Sequence, residues 1–168
     1  HNNYEPKNFQ PNNNLLRSSG AHRLYCGDKI IITGKVLDQN CVPVSDAKIY
    51  LWQVGCNGKY PYVPLRSRVN KKMLSINNGS SFTGSGTATT NNLGEFFFIT
   101  IRPPANRGNP YVNIRVEHRD LGELQTKLVL SSTNLLISDQ EVNQLLHETM
   151  KHDPVYSFDI TLPGTTNK

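Results

Sequence analysis

The side chains able to do chemistry are few and scattered. Cysteines stand at 26, 41 and 56, no two of them in a Cys-x-x-Cys pair, and the five histidines are not clustered. That spacing supports neither a structural zinc site nor a thioredoxin-like dithiol. One disulfide with one free thiol is the simplest arithmetic in an oxidising compartment. Gly84-Ser85-Gly86 lies in a Ser/Thr-rich stretch but lacks the Lys and the strand-to-helix context of a phosphate loop. No Ser, His and Asp set has the local spacing of a hydrolase. Asn78-Gly79-Ser80 has the form of a glycosylation sequon, meaningful only in a eukaryotic secreted protein, and doubles as an ordinary turn.

The elements that must position any site read as strands. From Lys29 onward, short runs of β-branched and aromatic residues are bounded by Gly, Pro, Asn and Asp, as in an all-β sandwich. Strands are expected at 29–37, 47–54, 95–101, 111–116, 125–130 and 156–162. One short helix is expected near 138–150: Ser138-Asp139-Gln140-Glu141 has capping-box spacing, and Val142, Leu145, Leu146 and Met150 form an apolar stripe. Residues 1–25 carry six Asn and two Pro with few apolar side chains. They read as a flexible or partner-binding arm ahead of a domain at 26–164, with a tail at 165–168.

With 168 residues, 36% of them hydrophobic and 18% charged, the chain is sized for one domain, and no apolar run is long enough to span a membrane. The net charge of +5 would suit an acidic partner or an anionic envelope surface. The densest basic stretch, Leu65 to Lys72, lacks the interleaved aromatics of a single-strand binder, so no nucleic acid is expected. The chain opens on His1, as a processed secreted protein or a trimmed chain would.

Strand geometry selects a disulfide. Strands 29–37 and 47–54 run in opposite directions about the turn holding Cys41, so Cys26 and Cys56 fall at one end and Cys41 roughly 26 Å away at the other. Bridged Cα atoms must lie within roughly 7 Å, which predicts a Cys26–Cys56 bond with Cys41 free. If the two strands face each other across the sandwich instead of pairing, their ends start about 10 Å apart and the loops must close the remainder.

In series, the motifs resemble one family. Gly34-Lys35-Val36-Leu37-Asp38, Pro43-Val44, Ala47, Leu51-Trp52-Gln53 and Gly58-Lys59-Tyr60 are similar to the opening of the intradiol ring-cleavage dioxygenases. Phe82-x-Gly84-x-Gly86, Thr90-Asn91-x-x-Gly94-x-x-x-Phe98-x-Thr100-Ile101-Arg102-Pro103 and Phe158-Asp159-Ile160-x-Leu162 continue the likeness, which runs from about residue 27 to 164. The resemblance implies a prealbumin-like β-sandwich and, in active members, iron(III) held by two Tyr and two His for the opening of catechol-type rings.

Carried over residue by residue, the ligand set is degenerate. Tyr60 matches the first Tyr, and a phenolate is a hard donor suited to iron(III). Asn106 stands near the second Tyr position, where the family pattern P-G-x-Y is replaced by Pro103-Pro104-Ala105-Asn106. The strand P-x-H-I-H-F corresponds to Pro110-Tyr111-Val112-Asn113-Ile114-Arg115-Val116. Alternation about Ile114 puts Asn113 and Arg115 in the His slots; strict alignment on Pro110 puts Val112 and Ile114 there. Asn109, Lys127 and Thr87 replace an Arg, a Gln and another Arg of the active enzymes. His118 lies four residues past Ile114, roughly 13 Å along the strand. Amides are poor ligands for iron(III), and a guanidinium repels a cation.

These substitutions lead to the expectation of a non-catalytic relative, with no cofactor, serving as a binding or structural module. It would be a subunit of an extracytoplasmic assembly with protein partners, periplasmic, outer-envelope-associated or secreted. Two alternatives stand beside it: an iron(III) intradiol dioxygenase with unusual ligands, and a carbohydrate- or peptide-binding module using Tyr60, Tyr62 and Tyr111.

Overall fold

Ile30, Ile32, Gly34 and Val36 alternate inward along β1 (Lys29–Leu37), and further strands complete the sandwich around it. These are β2 (Lys48–Trp52), β3 (Ser85–Thr89), β4 (Glu95–Ile101), β5 (Tyr111–His118), β6 (Gly122–Val129), β7 (Leu135–Ile137) and β8 (Val155–Thr161). The computed structural model describes residues 4–16, 25–76, 80–105, 107–137 and 153–164. Two four-stranded sheets, β4-β1-β8-β7 and β3-β2-β5-β6, face each other; β1 and β8 are parallel and the other pairs antiparallel. Between them Ile30, Ile32, Ile49, Leu51, Phe98 and Ile114 are fully buried.

The recurring turn residues explain the sandwich motifs. The Asp38 carboxylate accepts the N–H groups of Asn40 (2.8 Å) and Val42 (2.9 Å), closing the turn after β1. Thr90 Oγ1 donates to Val44 O at 2.7 Å and accepts from Ala47 N at 2.9 Å. Gly94 has φ +75°, and a Cβ there would meet Val36 O at 2.6 Å, so only glycine serves.

Three expectations are revised. Strands 29–37 and 47–54 do not form a hairpin: β1 and β2 belong to opposite sheets and face each other across the core. Two strands escaped notice, β3 because Ser85-Gly86-Thr87-Ala88-Thr89 carries no apolar alternation, and β7 because it is three residues long. Within the expected arm, residues 4–16 are part of the domain. Leu15 is fully buried and Leu16 nearly so. The expected helix at 138–150 and the tail at 165–168 lie outside the described residues.

That N-terminal segment is a strap joining the two sheets along one open side. Leu15 N–H donates to Ile99 O, and Ile99 N–H to Asn13 O, on the edge of β4. Thr87 N–H donates to Asn12 O and Thr83 N–H to Leu15 O, so β3 and the residues before it are bonded as well. The strap's asparagines make this possible without regular structure, since Asn12 and Asn14 side chains each accept the N–H two residues on. Gly86 is where the strap approaches closest: a Cβ there would lie 2.7 Å from Asn12 O and 2.8 Å from Leu15 Cδ1. Gly86→Ala is therefore expected to cost about 1–3 kcal/mol through overpacking, read as a lowered denaturation midpoint.

Candidate functional site

Tyr60 is set by a short crossing of loops. Its N–H donates to Met73 O at 2.7 Å, and Ser75 N–H donates to its carbonyl at 2.9 Å. The preceding turn is closed by Gly55 N–H to Lys59 O, and Cys56 in that turn is disulfide-bonded to Cys26, with Cα atoms 6.0 Å apart. Cys41 is free and exposed. Although β1 and β2 lie in opposite sheets, the loops at their ends bring the two cysteines together.

Beside Tyr60 opens a cleft of about 430 Å³, walled by Tyr60, Met73, Pro103, Tyr111 and Asn113 with Gln53 among its lining. Gln53 is locked: Thr100 Oγ1 donates to its Oε1 at 2.6 Å, and its Nε2 donates to Ile101 O at 3.1 Å. The Trp-Gln and Thr-Ile-x-Pro motifs thus meet at the wall of this cleft. Asn113 is buried and its Nδ2 donates to Trp52 O at 3.2 Å. Asn113 and Arg115 lie on the outer face of β5, while Val112 and Ile114 face the core, fully buried.

Arg115 does not line the cleft. It lies over the Tyr50 ring at 4.5 Å, pairs with Glu5 of the strap at 2.7 Å and with Glu117 at 2.9 Å. Burial opposes its charge, but the hydrogen bond and charge of Glu5, joined by Glu117, outweigh that and raise the guanidinium pKa. Lys127 sits opposite Asn113 in register, its ammonium 4.4 Å from the Tyr111 ring centroid, and Asn109 borders the cleft. Thr87 is bonded to the strap. His118 Nδ1 accepts the Asp120 N–H at 3.2 Å, on a separate surface with Asp46 and Glu117. Asn106 and Asn78 lie outside the described residues.

The strap contributes residues that the sequence reading missed. Tyr4 stacks on Tyr60 with centroids 4.6 Å apart and planes 6° from parallel, and Phe9 packs edge-on to Tyr50 and Trp52. Tyr62 lies beside Tyr60, 5.8 Å between centroids. Burial above all, then the fields of Tyr60 and Glu5, hold its phenol well above the usual value near 10, so it stays neutral. Tyr60 and Tyr62 are therefore packed inside an aromatic cluster and do not form an open stacking platform for a sugar. Tyr4 and Phe9, five residues apart, and the Leu15-Leu16 pair were the available signals.

Chemically, the cleft can take one planar ring, with the Tyr60 phenol and the Asn113 amide at its wall to orient its hydroxyls. The family's iron(III) centre does not fit the donors present. Tyr60 is the one ligand position of the described residues that keeps its type, Asn113 offers an amide engaged with Trp52, and Arg115 is cationic. No cluster of three or more His, Cys, Asp or Glu suited to a metal occurs among the described residues.

Fold and cleft together define a β-sandwich of the intradiol type, with the site at the loops beside β5. The chain is 54% identical over 169 residues to a protein of Rickettsia bellii named "Putative dioxygenase", covering 99% of this chain and 81% of that one. A Rickettsia typhi protein of the same description is 51% identical over 171 residues, with the same coverage. A shorter match, 30% over 79 residues, covers 47% of this chain and 31% of the protocatechuate 3,4-dioxygenase beta chain of Burkholderia cepacia. Among solved structures, the intradiol ring-cleavage dioxygenase of Tetranychus urticae superposes with a TM-score of 0.65 at 18% identity, covering 98% of this chain and 93% of that one. The dioxygenase domain of a dioxygenase carbohydrate-binding fusion from Streptomyces sp. SirexAA-E gives 0.64 at 18%, covering 96% and 94%. No family model matches. The chain belongs to the family of the rickettsial proteins named "Putative dioxygenase", and its fold is that of the intradiol ring-cleavage dioxygenases.

The expectation of a non-enzyme is corrected by these relatives. Proteins 51% and 54% identical across nearly the whole chain carry the name "Putative dioxygenase", and the fold is that of the ring-cleavage dioxygenases. Replacement of ligands at matched positions was too narrow a basis for that conclusion.

Proposed function

We propose that this chain is a dioxygenase acting on catechol-type rings, which bind in the cleft between Tyr60 and Asn113, with metal ligands that differ from the family's two Tyr and two His. The observation that carries the reading is the retained Tyr60, buried and backbone-anchored at the wall of a cleft sized for a single ring. The names of the rickettsial relatives support it. The Tyr60 phenol and the Asn113 amide orient the ring hydroxyls, Pro103 and Met73 supply apolar walls, and the Gln53–Thr100 lock holds the wall in place.

The test is oxygen uptake with catechol and substituted catechols, followed together with the ultraviolet absorbance of ring-opened product and with elemental analysis of the same preparation. Oxygen consumed in step with catechol is the expected result. Tyr60→Phe is expected to lower kcat/KM about 10- to 100-fold, as for loss of one substrate-orienting hydrogen bond. Absence of both oxygen uptake and catechol binding would overturn the reading.

The Cys26–Cys56 bond supports an oxidising, extracytoplasmic compartment for the protein. Alkylation of intact cells before lysis tests this: Cys26 and Cys56 should resist the reagent while Cys41 reacts.

A further inference from the structure

The two open sides of the sandwich are finished differently. Along one, the strap bonds to the edges of both β3 and β4. Along the other lie β6 and β7, and β6 is the longest unpaired edge among the described residues, eight residues bonded to β5 alone. Glu123, Gln125, Thr126, Lys127 and Val129 on it are exposed, Val129 to 44%. A long exposed edge offers a row of free backbone donors and acceptors to another strand.

We propose that β6 pairs antiparallel with β6 of a second copy of this chain, about a two-fold axis through Gln125. The register follows from charge. Glu123, Gln125 and Lys127 share one face of the strand, so a self-pair centred on Gln125 sets Glu123 of each copy opposite Lys127 of the other. Centring on Leu124 would set Glu123 against Gln125, and centring on Thr126 would set it against Val129; neither pairs the charges. The edge is therefore self-complementary in one register, as an isologous contact must be. Joining the two copies extends β3-β2-β5-β6 into a continuous eight-stranded sheet. Lys127 rests over Tyr111 of β5 in the single chain, so pairing with the partner's Glu123 requires its flexible stem to swing toward the free edge.

The experiment is sedimentation velocity of the full chain from about 1 to 200 µM, a range in which a weak dimer shows concentration dependence. The wild type should move from monomer to dimer. Glu123→Lys or Lys127→Glu alone should weaken association about tenfold or more, because each reversal turns both symmetric pairs repulsive. The double reversal E123K/K127E should restore it. Circular dichroism identifies any variant that has lost its fold, and crosslinking provides a second readout. In a Cys41→Ser background, Gln125→Cys should give a disulfide-linked dimer, since directly opposed antiparallel Cα atoms stand about 4.5–5.5 Å apart, within disulfide reach. Thr126→Cys should not. A chain that stays monomeric throughout, a dimer indifferent to both single reversals, or equal crosslinking at 125 and 126 would each overturn the proposal.

Discussion

Removal of residues 1–16 is expected to lower the melting temperature by about 10 °C or more, through loss of an integral core element. Leu15 is fully buried and Leu16 6% exposed, so truncating the segment opens the core between β3 and β4. Leu15→Ala alone should cost about 2–5 kcal/mol, the range for a buried leucine that leaves a cavity. The deletion also strips hydrogen-bond partners from Ile99, Thr87 and Thr83, and leaves Arg115 without Glu5 at 16% side-chain exposure. A guanidinium in that setting keeps Glu117 as its remaining carboxylate. Against a typical domain stability of about 5–15 kcal/mol, these losses leave little margin. Thermal melts of the deletion and of Leu15→Ala decide it. A melting temperature unchanged in both would mean that the strap is a surface ornament and that its burial contributes nothing.

The second large effect is expected at the disulfide. Cys26 and Cys56 are separated by 30 residues. In the chain-entropy account, closing a loop of that size stabilises the fold by about 3.6 kcal/mol, so the Cys26→Ser, Cys56→Ser pair should melt about 7–14 °C lower. Function should suffer as well, because Cys56 borders the cleft and belongs to the turn that delivers Tyr60. Loss of catechol binding in the variant at temperatures where circular dichroism still reports a folded sandwich would separate this local effect from global unfolding. Cys41→Ser, at an exposed turn residue, should change neither. An unchanged melting temperature in the paired variant would show that the bridge lies across a loop that is already rigid.

Much of the fold was legible because its signals are local. Alternation along β1, β4, β5 and β8 needs only neighbouring residues to be read, and the turn residues act within a few positions: Asp38 on Asn40 and Val42, Asn91 on Leu93 and Glu95. Most motifs that carried the family resemblance prove to be of this kind. Asp38, Val44, Ala47, Thr90 and Gly94 build turns and joints of the sandwich, so they identify the fold and say little of the chemistry. Gln53 and Thr100 are the exception, since their mutual hydrogen bond forms the cleft wall.

The amino-acid sequence by itself determined the β-sandwich class, the positions of most strands, the family likeness and the pairing of Cys26 with Cys56, each from short-range spacing or strand length. Only the tertiary structure decided that β1 and β2 lie in opposite sheets, that Asn113 borders the cleft while Arg115 lies under the strap, and that Tyr4 covers Tyr60. The physical reason is the same in each case. Residues 4–16 have too few apolar side chains to fold on their own, and they become ordered by filling a gap between two sheet edges that exists only once the sandwich has closed. A surface assembled from β3, β4 and β5 leaves no periodic trace in the segment that covers it.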